Sequence, residues 1–185
     1  MMRELSDNIL DIAQNSIAAG ASLTEVEVVV SHEKDLISLR FTDNGCGMSE
    51  ELVKAVTEPF TTTRKTRKVG LGLPLLQQTA QMTGGDLSIR STVGVGTEVL
   101  ATFGLSHIDR PPMGDVAGAW FSLVVMNPDT DFLFTYDYDG NVFTFDTREV
   151  RATVAPLPLN QMEISAWIKD CISQEINELH GGLFQ

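Results

Sequence analysis

The sequence is short of cysteine, of basic residues and of long apolar runs, and each shortage removes a class of protein. Its two cysteines, Cys46 and Cys171, stand 125 positions apart with neither a CxxC pair nor a histidine cluster beside them. That argues against a disulfide scaffold and a structural zinc site, and points to a reduced, cytoplasmic setting. No apolar stretch approaches the ~20 residues needed to span a bilayer. The opening Met-Met-Arg-Glu-Leu-Ser-Asp is polar from its third residue, so no membrane span and no signal peptide are expected. Thirteen bases against 25 acids give a net charge of −12, the wrong sign for a nucleic-acid or anionic-membrane surface. What is present, 185 residues with 43% hydrophobic and 21% charged, suits one folded domain or a domain with a small appendage.

The charge is unevenly spread. Residues 1–104 hold 13 acids and 9 bases, whereas 105–185 hold 12 acids and only 4 bases. Four of the nine N-terminal bases, Arg64, Lys65, Arg67 and Lys68, fall within five residues beside a glycine-rich stretch. Such a cluster is either a solvated loop or the seat of an anion.

Hydrophobic spacing divides the chain into elements. Ile9, Ile12, Ala13, Ser16 and Ile17 mark one face of an opening helix, capped by Ser6 and ended by Gly20. The β-branched run Thr24–Val30 and Leu36–Phe41 read as a hairpin. Ser49 caps a short helix at Glu50, residues 57–69 read as a loop, and Leu71–Met82 resumes helical spacing before Gly84-Gly85. Leu87–Ser91 and Glu98–Phe103 form a second hairpin around Gly94-Val95-Gly96. Beyond Arg110-Pro111-Pro112, Asp115 caps a helix reaching Met126. Phe132–Tyr138 and Val142–Phe145 flank an Asp139-Gly140-Asn141 turn. Asn160 and Glu163 suggest a capping box for a last helix with a broad stripe of Ile164, Trp167, Ile168, Cys171, Ile172, Ile176 and Leu179. These residues, 105–185, are expected to form a small α-β-β-α unit with its own aromatic core.

Four short motifs carry chemistry. Asp11 and Asn15, four apart on a helix, project their oxygens the same way, either as a polar face that simply meets solvent or as a hard pair suited to Mg²⁺ or to orienting a water. Asp43-Asn44-Gly45-Cys46-Gly47 follows a strand. It is either a plain turn or a carboxylate placed to accept from an exocyclic amine, with glycines admitting a flat ring. Gly70-Leu71-Gly72-Leu73 opens a helix after the four bases, so its backbone N–H groups make an anion site, completed by Lys65 and Lys68 or by Arg64 and Arg67. Gly94-Val95-Gly96-Thr97 turns between two strands.

In this order the motifs resemble the ATP-binding domain shared by DNA gyrase, the heat-shock chaperone, histidine kinases and mismatch-repair ATPases, the GHKL superfamily. Asp11 to Asn15 matches the N box, Asp43 to Met48 the G1 box, Gly70 to Leu73 the G2 box and Gly94 to Thr97 the G3 region. Glu58-Pro59-Phe60-Thr61-Thr62-Thr63 is similar to the F box of the kinases. The resemblance covers residues 3–104. It implies an α+β fold, a two-layer helix–sheet sandwich binding ATP and Mg²⁺, with a lid near residues 61–69. On that resemblance Asn15 ligands Mg²⁺, Asp43 reads the adenine amine and Thr97 lines the adenine pocket. Gly45, Gly47 and Met48 flank the ring, and Phe60, Thr61, Thr62, Lys65, Lys68, Gly70, Leu71, Gly72 and Leu73 lie along the lid and phosphates. Asp11 stands where the ATPase branches carry a glutamate base, so it serves either as a base or as a ligand of magnesium's water. Lacking a phosphoacceptor histidine ahead of the domain, the chain reads as a stand-alone kinase or regulator that passes the γ-phosphate to a partner protein. The alternative is an ATP-gated switch that turns over slowly or not at all. Residues 105–185 are then a partner or homodimer surface.

Overall fold

The computed structural model describes residues 4–57 and 72–181, and a single mixed sheet organises them. Helix α1 (Leu5–Ala18) is followed by strands β1 (Leu23–Ser31) and β2 (Leu36–Asp43), then helices α2 (Glu50–Thr57) and α3 (Gly72–Met82) and strands β3 (Leu87–Thr92) and β4 (Gly96–Gly104). Helix α4 (Val116–Met126), strands β5 (Asp131–Tyr138) and β6 (Asn141–Asp146), and helices α5 (Thr147–Val154) and α6 (Met162–Leu179) complete the chain. The strands lie in the order β3-β4-β2-β1-β5-β6. All neighbours are antiparallel except β1 and β5, which run parallel with Thr24 opposite Phe132 and Val28 opposite Tyr136.

Alternation explains the layers. Val26, Val28 and Val30 of β1, Ile37, Leu39 and Phe41 of β2, and Val99, Ala101 and Phe103 of β4 are buried on one face. That face receives the apolar stripe of α1 (Leu5, Ile9, Ile12, Ala13) and the Leu73, Leu76 and Ala80 row of α3. The other face is open at its centre. There Glu25, Glu27, Arg40, Thr42, Glu98, Leu133 and Thr135 line a shallow depression of about 300 Å³.

The C-terminal residues differ from expectation in three ways. Their strands extend the N-terminal sheet through the β1–β5 pairing, so the aromatic residues expected to form a core of their own join the common one. Trp120 stacks on Phe134 with ring centroids 4.6 Å apart, and both belong to the same buried cluster as Ile9 and Val28. A further helix, α5, capped by the Asp146 carboxylate accepting from Arg148 N, separates β6 from α6. The α6 stripe departs from its sequence at one residue, since Cys171 and Leu179 pack on the core as well. Ile164, Ile168, Ile172 and Ile176 are buried at four-residue spacing, while Trp167 is 53% exposed.

Two caps also differ. Glu4, not Ser6, is the N-cap of α1. Ser6 lies inside the helix and donates to the Glu4 carboxylate, while Asp7 accepts from the Glu4 backbone N–H. Gln161 rather than Asn160 precedes α6. Asp115 and Ser49 cap as expected, accepting from Gly118 N at 2.7 Å and Leu52 N at 3.3 Å.

The connection from β4 to α4 is itself fixed. Leu5 N and Ser6 N, which no intrahelical carbonyl can serve, donate to Pro112 O and Met113 O at 2.9 Å. Helix α4, apolar nearly all round, then packs between α1 and α6.

Candidate nucleotide site

Register sets one end of the site. Ser91 pairs with Thr97 across β3 and β4, Thr97 with Asp43 across β4 and β2, and Asp43 with Thr24 across β2 and β1. Residues directly opposite share a face, so these side chains form one polar row on the helix-covered face, at the sheet end where α1 finishes.

The Asp43 carboxylate is held on both oxygens. Oδ2 accepts from Ser16 Oγ at 2.7 Å, and Oδ1 from Gly45 N at 2.9 Å. Each oxygen keeps a further lone pair, and Asp43 remains half-buried. Ser16 reaches it because it sits in the apolar stripe of α1, 4% exposed. Asn44 points elsewhere. Its side-chain oxygen accepts from Ser22 N and Leu23 N, and its amide donates to Ser22 Oγ, which staples the α1–β1 turn to the end of β2. The Asp43–Gly47 segment is therefore no hairpin turn, since it leads from the sheet into α2.

The glycines have distinct tasks. A Cβ on Gly45 would lie 3.0 Å from the Ala19 side chain and carbonyl and from Asp43 Oδ1. Gly47 has φ +65, and a Cβ there would enter the Thr92 carbonyl. Its need for glycine is thus met by a neighbouring backbone within the protein. Gly96, at φ +140, packs against the Asp43 carbonyl in the same way. Met48 is partly buried against the core, and its N–H donates to Ser91 Oγ at 2.8 Å.

Asp11 lies toward the other end, and Asn15 sits one residue before Ser16. Each residue of α1 advances about 1.5 Å, so the five from Ser16 back to Asp11 cover about 7.5 Å along the helix. Asn15 is exposed, and its amide makes no hydrogen bond among the described residues. The Asp11 carboxylate abuts Gly72, the first residue of α3, so closely that a Cβ there would overlap Oδ2. The first N–H groups of α3 have no intrahelical partner, and the positive end of its dipole faces this region. Leu73 turns its side chain into the core, 9% exposed. Phe60, Thr61, Thr62, Lys65, Lys68, Gly70 and Leu71 lie outside the described residues.

Ser16 and Ser91 hold the site, yet only their partners stood out in the sequence. Each carried a signal, a polar residue at a position whose periodicity calls for an apolar one.

A polar row at one end of α1 and a helix start at the other, beneath a two-layer sandwich, define a fold of the ATPase type. The chain belongs to the histidine kinase-, DNA gyrase B- and HSP90-like ATPase family, whose pattern matches residues 1–107, and it carries that family's ATP-binding domain. Sporulation kinase D of Bacillus subtilis is 36% identical over 101 residues, covering 53% of this chain and 19% of that protein. The tetrathionate sensor histidine kinase TtrS of Salmonella typhimurium is 36% identical over 87 residues, 47% of this chain and 14% of that protein. The chain spans less than a fifth of the length of such curated relatives. In fold it is similar to the MutL ATPase domain of Aquifex aeolicus complexed with ADP, with a TM-score of 0.50 and 19% identity over 98% of this chain and 70% of that one. That likeness is of fold alone, and it takes in residues beyond 107.

Proposed function

We propose that the chain binds Mg·ATP along α1, base at Asp43 and phosphates at α3, and passes the γ-phosphate to a partner protein. The observation that carries the nucleotide reading is the fixed carboxylate of Asp43. Doubly anchored and acceptor-only, it suits an exocyclic amine, and Thr97 stands beside it. Gly72, against Asp11 on α1, marks where a triphosphate would meet a helix N-terminus.

The residues fit magnesium. Asn15 offers an amide oxygen unengaged among the described residues and Asp11 a carboxylate on the same helix face, and Mg²⁺ is commonly held by one or two protein oxygens, substrate phosphates and water. Bound there, the ion would neutralise charge on the phosphates.

Transfer rests on the kinase relatives. An acceptor oxygen or imidazole nitrogen attacks the γ-phosphorus, the bond to the bridging oxygen breaks and ADP departs, while the protein contributes positioning and charge neutralisation. A second reading, an ATP-gated switch, draws on the Asp11–Gly72 contact, because a ligand between them would shift α3 against α1. Incubation with γ-labelled ATP and lysate separates the two. Label on a protein acceptor supports transfer, whereas ATP retained without label or released phosphate supports the switch.

A further inference from the structure

We propose that Ser91 fixes the hydrogen-bonding polarity of the Thr97 hydroxyl, and thereby sets a preference for purines bearing an amine rather than a carbonyl at position 6. The inference rests on the adenine reading of the Asp43 end.

A serine hydroxyl has one proton and two lone pairs. Ser91 Oγ has three polar neighbours: Met48 N at 2.8 Å, Gly96 O at 3.0 Å and Thr97 Oγ1 at 2.8 Å. The Met48 N–H can only donate and the Gly96 carbonyl can only accept. With its single proton on Gly96 O, Ser91 has nothing left to give Thr97. In this arrangement the Thr97 hydroxyl donates to Ser91 and turns its lone pairs to the space beside Asp43. The Asp43 carboxylate likewise presents only lone pairs beyond its bonds from Ser16 and Gly45. Two adjacent side chains of the row are then acceptors, and neither can turn to donate.

A purine with an amine at position 6 meets these acceptors with donors. One with a carbonyl there sets lone pair against lone pair and leaves polar groups unpaired, the situation in which a site discriminates most strongly. Without Ser91 the Thr97 hydroxyl is free to rotate and donate, which would accommodate the carbonyl. Ser91 is thus a positioning residue that acts through Thr97, and Met48 N binds it to the loop that carries Gly45 and Gly47.

The test is calorimetric titration of the full chain with Mg·ATP and Mg·GTP. The wild type should prefer ATP, and Ser91→Ala should narrow that preference by about tenfold, the scale of one hydrogen bond. Ser91→Thr, which restores a hydroxyl, should keep the wild-type ratio. Thr97→Val should narrow the ratio without touching the Ser91 bonds to Met48 and Gly96, so it reports on the same hydroxyl even if Ser91→Ala does not fold. The double variant Ser91→Ala/Thr97→Val should match Thr97→Val alone. An unchanged ratio in Ser91→Ala with ATP binding intact overturns the inference by itself, as does an unchanged ratio in Thr97→Val. A wild type that binds neither nucleotide, or both equally, overturns the adenine reading and this inference with it.

Discussion

Asn15 and Gly47 show how different the constraints on single residues of this site are. The Asn15 amide is exposed and unengaged among the described residues, so its replacement disturbs no internal bond. Asn15→Ala should leave the fold intact and abolish the magnesium dependence of nucleotide binding, with residual metal-free affinity, measured by titration with and without EDTA. An unaltered metal requirement would remove Asn15 from that role. Gly47 is the reverse case. Its φ of +65 and its contact with the Thr92 carbonyl mean that Gly47→Ala strains the backbone and clashes, at a cost of about 2 kcal/mol. A lowered urea midpoint would show it. Asp11, Asn15, Asp43 and Thr97 stand out in the sequence as candidates because their spacing and the glycines around them are unusual. The purpose of Gly47 does not. In the sequence it stands beside a ring, and in the fold beside a strand, because close approach of one backbone to another is a tertiary fact. Ser91 was passed over for a related reason: pairing register, not local spacing, sets it against Thr97.

At the scale of elements, both N-terminal hairpins and the apolar row of α3 follow from alternation and helical spacing, and turn residues marked their ends. Helix α5 escaped notice because Thr-Arg-Glu-Val-Arg-Ala-Thr-Val is short, polar and directly continuous with β6. Helix α6 follows from its periodicity, and of its expected stripe Trp167 alone turns outward. The isoleucine row is buried, and Cys171 and Leu179 pack against the core beside it. The end of α6 carries a titrating contact. His180 Nε2 lies 2.8 Å from the Tyr136 hydroxyl, and its ring packs 4.3 Å from that of Tyr138. Burial, and next the nearby His32, lower its pKa below the usual 6.5. A histidine whose folded pKa is depressed takes up protons more readily when unfolded, so its stabilising effect is complete above pH ~6.5 and is lost as pH falls below that value. The urea midpoint should therefore fall between pH 7.5 and 5.5, and His180→Gln should flatten that part of the profile. An identical slope in the variant would place the pH dependence elsewhere.

Across the whole molecule, residues 1–104 and 105–185 divide by motif but share a sheet. The parallel pairing of β1 with β5 was illegible in the sequence, because strands a hundred residues apart announce neither that they meet nor in which direction. Its consequence is mechanical. Helix α1, which carries the candidate residues Asp11, Asn15 and Ser16, donates backbone bonds to the Pro112 and Met113 carbonyls and packs on α4, so the C-terminal helices are joined to it by packed elements. One core should also unfold as one. Ile168→Ala, at a fully buried position, should cost about 2–5 kcal/mol and lower a single transition seen alike by ATP binding and by tryptophan fluorescence. Two separate transitions would mean independent units. The uneven charge takes on a sharper meaning too. The acidic excess sits mainly on residues that complete the sheet, while the basic cluster precedes α3. Nucleotide binding at this site depends most directly on Asp43. Calorimetric titration of the full chain with Mg·ATP should show saturable binding at one site in the wild type, and binding at least about tenfold weaker in Asp43→Asn, which exchanges an acceptor for a donor. Equal affinity in the two proteins would contradict it.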